Sequence, residues 1–232
     1  MKIIFMGTPE FSVPALNAVA GKFEVVAVYT QPDRAVGRGL ELRASAVKRR
    51  ALELALPVFQ PEKLTLPGEY EKLALLKPDL IVVVAYGQIL RRNVLDLPRL
   101  GCVNIHSSLL PRWRGAAPIH QAILAGDRES GVTTMYMAEK LDAGDILLQE
   151  KTPISETDTV GTLHDRLAEI GAKLIVRTVE GLAAGSIQPL KQDESLVTHA
   201  GKLNKDMEWL SPLDTAEGAS RKVRALNPWP GT

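Results

Sequence analysis

Asn104 and His106 stand two residues apart at the end of an apolar run, GCVNIH, over residues 101–106. Side chains two apart on a strand point the same way. In a strand here, the amide and the imidazole share one face, while Val103 and Ile105 turn into the packing. An amide donates two N–H groups and can hold a developing oxyanion. Imidazole, which titrates near about 6.5 when unperturbed, can pass a proton at neutral pH. A second polar cluster, LDAGD at residues 141–145, sets the carboxylates of Asp142 and Asp145 in a turn between two predicted strands. A carboxylate that orients the imidazole, or accepts a proton from an attacking amine, would complete an acid–base site for acyl transfer. Taken singly, each residue also has an ordinary structural reading: a histidine near a strand end, or an asparagine or aspartate in a turn.

The elements that must position these groups are legible as alternating runs. Residues 2–6, 23–29, 57–60, 80–86, 101–106, 131–137 and 146–151 read as strands, most of them nearly unbroken in apolar character. Helical spacing falls between them, over residues 11–20, 45–56, 69–76 and 116–125, with Ser45 a cap for the second. A long helix over 159–182 carries Leu163, Leu167, Ile170 and Leu174 on one face. This order argues for an α/β fold, a Rossmann-like, mostly parallel sheet with helices on both faces, and continuous apolar strands suit parallel strands buried on both sides. Ligands of such sheets bind outside the carboxyl ends of the strands, where Asn104 and His106 fall. The polar stretch 30–44 reads as a loop. Residues 1–187 are expected to form the catalytic domain and 188–205 a linker with little periodicity. Residues 206–232, which end in a proline-rich turn, are expected to begin a further domain.

Bulk properties exclude little. The chain has 232 residues, a formal net charge of +1 and one cysteine, Cys102. It cannot form an internal disulfide, and bulk charge does not point to nucleic acid. The longest apolar run is too short to cross a bilayer. A cytoplasmic, monomeric protein with no membrane association is expected. Four histidines and one cysteine show no metal-ligand spacing, and Gly7–Thr8 does not open a G-x-G-x-x-G fingerprint. Residues 30–50 hold six basic side chains against two acidic ones, and glycines flank Arg38.

The stretch NIHSSLLPRWRGAAPI at 104–119 resembles the signature of the methionyl-tRNA formyltransferases. Its first part, Asn-x-His followed by Ser-Leu-Leu-Pro, resembles the wider formyltetrahydrofolate transferase superfamily. GTPEF at 7–11, QPDR…GRG at 31–39, LDAGD at 141–145 and NPWPG at 227–231 strengthen the likeness, which covers the whole chain. The resemblance implies Asn104, His106 and Asp142 as a catalytic triad. It implies Ser108, Leu109, Leu110 and Pro111 as a tetrahydrofolate-binding motif, and Ala85, Tyr86, Gly87, Gln88, Ile89 and Leu90 as a loop whose backbone recognises the pterin. It implies 10-formyltetrahydrofolate as co-substrate with no bound cofactor or metal, and initiator methionyl-tRNA as acceptor, with Arg34, Arg38 and Arg43 meeting the RNA. The family usually carries lysines after Gly-Arg-Gly, where this chain has Leu40, Glu41, Leu42 and Arg43. A sugar-nucleotide formyltransferase shares Asn-x-His…Asp and is the alternative enzyme. A fragment that binds folate or RNA without turnover is the alternative from another class.

Overall fold

The computed structural model describes residues 1–36 and 41–231. Eleven strands are described: β1 (Lys2–Gly7), β2 (Glu24–Tyr29), β3 (Arg34–Val36), β4 (Glu41–Arg43), β5 (Val58–Phe59), β6 (Leu80–Val84), β7 (Cys102–His106), β8 (Arg114–Gly115), β9 (Glu129–Tyr136), β10 (Ile146–Pro153) and β11 (His199–Ala200). Seven α-helices join them: α1 (Val13–Ala20), α2 (Ala46–Glu53), α3 (Glu69–Leu75), α4 (Arg92–Leu95), α5 (Pro118–Ala125), α6 (Val160–Ala183) and α7 (Ala216–Ala225).

The central sheet has seven strands in the order β10-β9-β7-β6-β1-β2-β5. The block from β5 through β2, β1 and β6 to β7 is parallel, whereas β9 is antiparallel to β7 and β10 antiparallel to β9. The mostly parallel Rossmann-like sheet expected from the sequence is therefore what forms, with an antiparallel edge. Alternate residues of the strands feed two cores. Ile3, Phe5, Val82, Val103 and Ile105 pack with α1, α5 and α6, and Ala225 of α7 joins them. Ile4, Met6, Ile81, Val83 and Cys102 face the other way, against Leu73 of α3 and Val94 of α4. Helices thus cover both faces. The longest helix, α6, starts at Thr159, whose hydroxyl accepts from the Thr162 backbone while the Thr162 hydroxyl accepts from the Thr159 backbone.

Two segments hold more structure than their composition suggests. In the polar stretch after Thr30, β3 and β4 pair as an antiparallel ribbon that sets Arg34 opposite Arg43. Residues 188–205, read from sequence as a linker, form a strap. Leu190 makes an antiparallel bridge to Ile146, and β11 lies parallel to β8. No described helix is long and apolar enough to cross a membrane.

Candidate active site

A cavity of about 510 Å³ opens beyond the carboxyl ends of β1, β6 and β7. Asn104, His106 and Asp142 all line it. Asn104 and His106 share a face because β7 is extended and paired on both sides, with Val83 and Met135 opposite Asn104. Val103 and Ile105 point into the apolar core. The connection from β9 to β10 folds back over β7 and carries Asp142 across.

The imidazole of His106 is nearly buried, and its Nε2 lies 2.9 Å from the Trp113 carbonyl oxygen. A carbonyl can only accept, so Nε2 carries the hydrogen. Nδ1 is then the atom free to take or give a proton, and it faces Asp142 Oδ2 at 3.7 Å. That separation is too long for a direct hydrogen bond and leaves room for a water or a reacting group touching both. Asp142 Oδ2 accepts a bond from the Gly115 backbone N–H at 2.9 Å, and Oδ1 has no partner among the described residues. The amide of Asn104 likewise has no hydrogen-bond partner among the described residues and faces the cavity. The arrangement offers a free amide donor, a proton-transferring ring nitrogen and a half-satisfied carboxylate around one space.

Glycine is required at two positions that hold this geometry. Gly115 has φ +123°, and a Cβ there would lie 2.4 Å from the Ala200 carbonyl oxygen. In the Asp142 loop, a Cβ on Gly144 would lie 1.8 Å from the Tyr136 carbonyl oxygen. Trp113 itself has φ +64°, which turns its carbonyl toward His106. Its indole Nε1 donates to Asp127 at 2.7 Å, and Asp127 accepts a two-pronged bond from Arg112, which also lies 4.4 Å over the indole ring.

The other sequence-predicted residues divide. Ala85, Tyr86, Gly87 and Gln88 line the cavity, whereas Ile89 is exposed outside it and Leu90 is buried in the second core. Gln88 locks the loop by accepting from the Leu64 backbone and donating to the Pro61 carbonyl, while Thr8 and Gln31 donate to the Tyr86 carbonyl. The N–H and the carbonyl of Gly87 itself pair with no other described residue. Ser108, Leu109, Leu110 and Pro111 do not line the cavity. They form a tight turn behind it, in which Ser108 donates to the Arg112 carbonyl and Thr133 gathers Ser108 and Leu110. A tight loop of this kind is what returns the chain so that Trp113 can meet His106, and Ser107 takes the place on the wall. Arg34 and Arg43 are exposed on the ribbon, whereas Arg38 lies outside the described residues. Of the remaining basic residues nearby, Lys48, Arg49 and Arg50 pair with Asp33, Glu10 and Glu53. Hydrogen bonds from Lys48 and then Gln60 hold the Asp33 carboxyl below its usual range.

Residues that sequence reasoning passed over complete the walls. Phe11, Ile119, His120 and His164 line the cavity. Burial pushes His120 below the ordinary histidine value, against a bond with the Trp229 backbone that raises it. Among the described residues no group of three acidic, histidine or cysteine side chains could hold a metal ion.

The formyl transferase family model matches residues 1–179. A methionyl-tRNA formyltransferase of Pseudomonas putida is 56% identical over 234 aligned positions, covering 99% of this chain and 74% of the relative. The chain belongs to the methionyl-tRNA formyltransferase family. A member from Halorhodospira halophila is also 56% identical and covered to 74%. Solved relatives are more distant in sequence. A 4-N formyltransferase from Francisella tularensis superposes with a TM-score of 0.76 at 16% identity, over 98% of this chain and 89% of that one. A glycinamide ribonucleotide transformylase from Symbiobacterium toebii gives 0.68 at 21%, over 82% and 94%. These structures share the fold. The sequence likeness sets the chain apart from the sugar formyltransferases that the Asn-x-His…Asp pattern alone leaves open.

Proposed function

We propose that this chain transfers the formyl group of 10-formyltetrahydrofolate to the α-amino group of methionine carried by initiator tRNA, and that Asn104, His106 and Asp142 carry the reaction. The observation that supports this most directly is the convergence of a free amide, an imidazole of defined tautomer and a carboxylate on one cavity. The neutral amine attacks the formyl carbon, and a tetrahedral centre forms with negative oxygen and positive nitrogen. The Asn104 amide donates to the oxygen. His106, with Nε2–H held by Trp113, delivers or withdraws a proton through Nδ1. Asp142 accepts the amine's proton, directly at Oδ1 or through a water in the space beside His106. The tetrahedral centre then collapses, and the donor nitrogen leaves as the proton returns to it.

The Ala85–Gln88 loop, with the unpaired N–H and carbonyl of Gly87, suits a flat heterocycle with alternating donors and acceptors. Arg34 and Arg43 stand opposite each other on the ribbon, and like charges placed so repel. A phosphate between them would relieve the repulsion, which supports RNA contact there. The test is single-turnover formylation of methionyl initiator tRNA by Asn104→Ala, His106→Ala and Asp142→Asn. Each is expected to lose on the order of 10²–10³ in rate while remaining folded, and near-normal transfer by His106→Ala removes it from the chemistry.

A further inference from the structure

Gln192 lies in the strap, fifty positions along the chain from Asp142, and its side-chain amide makes three hydrogen bonds behind the Asp142 loop. Its Nε2 donates to the Asp142 carbonyl at 2.9 Å and to the Gly144 carbonyl at 2.7 Å. Its Oε1 accepts from Arg114 Nε at 2.9 Å. A guanidinium only donates, so the amide has one possible orientation. Arg114 is itself almost fully buried, and its Nη2 pairs with Glu194 of the same strap at 2.8 Å.

The strap also reaches the other side of Asp142. The Arg114 backbone N–H donates to the Thr198 carbonyl at 2.9 Å, and the Ala116 N–H to the Ala200 carbonyl at 2.8 Å. These two bonds bracket Gly115, whose own N–H holds Asp142 Oδ2. Asp142 has φ +50°, in the left-handed region, which aspartate tolerates better than most L residues but still adopts at a cost unless local bonds support it. The two carbonyl bonds from Gln192 supply that support: they turn the peptide groups of residues 142 and 144 away from the cavity and so aim the carboxylate into it.

We propose that Gln192 is a positioning residue for formyl transfer, acting through Asp142 by clamping the two carbonyls of its loop while anchored on buried Arg114. The proposal rests on the role given to Asp142 above. Where the reacting atoms are misplaced by about an ångström, rates fall by about 10²-fold.

The test uses Gln192→Glu, which keeps the acceptor for Arg114 and removes the donors, and Gln192→Met, which keeps the volume and removes both. Having two variants guards against one failing to fold. Each is made alone and with Asp142→Asn, and kcat and KM are measured for formylation of methionyl initiator tRNA. The expected result is a loss of about 10- to 100-fold in kcat for the single variants, with KM for 10-formyltetrahydrofolate within about twofold. In the Asp142→Asn background the Gln192 change should cost less than about threefold, because its effect passes through a carboxylate already gone. A kcat within threefold of the parent, losses that multiply in the double variant, or a loss confined to KM would overturn the proposal. Near-normal transfer by Asp142→Asn alone would instead overturn the role of Asp142, and with it this proposal.

Discussion

Gly144→Ala should cripple turnover far more than it destabilises the fold. The added Cβ would sit 1.8 Å from the Tyr136 carbonyl oxygen, whereas real Cβ contacts essentially never fall below 3.0 Å. The loop and the end of β9 must therefore part by more than an ångström. Tyr136 is held in the sheet opposite Val103, so the loop is the part that yields. Its displacement carries Asp142 away from His106 and breaks the reach of Gln192 to the Gly144 carbonyl. Overpacking of this kind costs about 1–3 kcal/mol, which for a chain of this length lowers Tm by roughly 2–12 °C. The same shift at the carboxylate should lower kcat by about 10²-fold. Formylation of methionyl initiator tRNA at saturating donor, beside a thermal melt, separates the two effects. Gly201→Ala, where nothing lies within 4 Å of the added carbon, is the neutral control. A Gly144→Ala enzyme that keeps a third or more of the parent kcat would refute the idea that this backbone contact places Asp142.

Asp127→Ala should lower kcat by about tenfold with little change in KM, because the indole of Trp113 loses its acceptor and the Trp113 carbonyl its hold on His106; unchanged kcat in a steady-state assay would count against that route. Arg34→Ala and Arg43→Ala should each raise KM for tRNA and flatten its salt dependence by about one unit of slope, while donor binding followed by fluorescence stays constant; loss of both would indicate misfolding instead. Asp158 contributes stability that depends on pH. Burial raises its value, but bonds from Arg166, the Ser155 backbone, Thr162 and the Ser155 hydroxyl outweigh it and bring it from 3.8 down to about 2. A value depressed in the folded state means that the stabilisation, about 2 kcal/mol, is complete at neutral pH and disappears as pH falls from about 4 to about 2. Asp158→Asn should accordingly be less stable than the parent in urea at pH 7, with the gap closing near pH 2; a gap independent of pH would refute the assignment.

The strands could be read from sequence because buried strands are continuous apolar runs, and the pairing of Asn104 with His106 followed from strand parity alone. The antiparallel direction of β9 and β10 could not, since Gly131–Met137 looks as apolar as the parallel strands. Polar segments hid the rest. The β3–β4 ribbon lies in a stretch rich in arginine and glycine, where composition says loop. The strap has no apolar periodicity, because it is held by backbone bonds to residues 114–116 and by Gln192 and Glu194 rather than by a buried face. Arginine is mostly an exposed residue, yet Arg114 is among the most buried side chains of the described residues. The Ser-Leu-Leu-Pro motif stood out by resemblance, but its turn packs behind the cavity, and only Ser107 before it reaches the wall. Side-chain bonds between residues fifty or more positions apart leave no local pattern.

Backbone conformation supplies the last link from sequence to chemistry. Five non-glycine residues among those described have positive φ: Ala55, Lys77, Ala85, Trp113 and Asp142. Ala55 and Lys77 each follow the last turn of a helix, where such a conformation closes the hydrogen bonding. The other three surround the cavity and end no helix. The conformation costs roughly 1–2 kcal/mol for Ala85 and Trp113 and less for Asp142, an aspartate, and each is held by contacts around it. Ala85 precedes buried Tyr86, whose carbonyl takes bonds from Thr8 and Gln31. Trp113 is tied through its indole to Asp127 and through its N–H to Thr198. Asp142 is tied by Gln192 and Gly115. The strain is therefore carried by the surrounding fold, and the Ala85 loop, His106 and Asp142 are fixed in place by contacts from distant segments. Electrostatic stabilisation is greatest when the dipoles need not reorganise during the reaction, and an arrangement held by bonds to distant segments meets that condition where a relaxed loop would not.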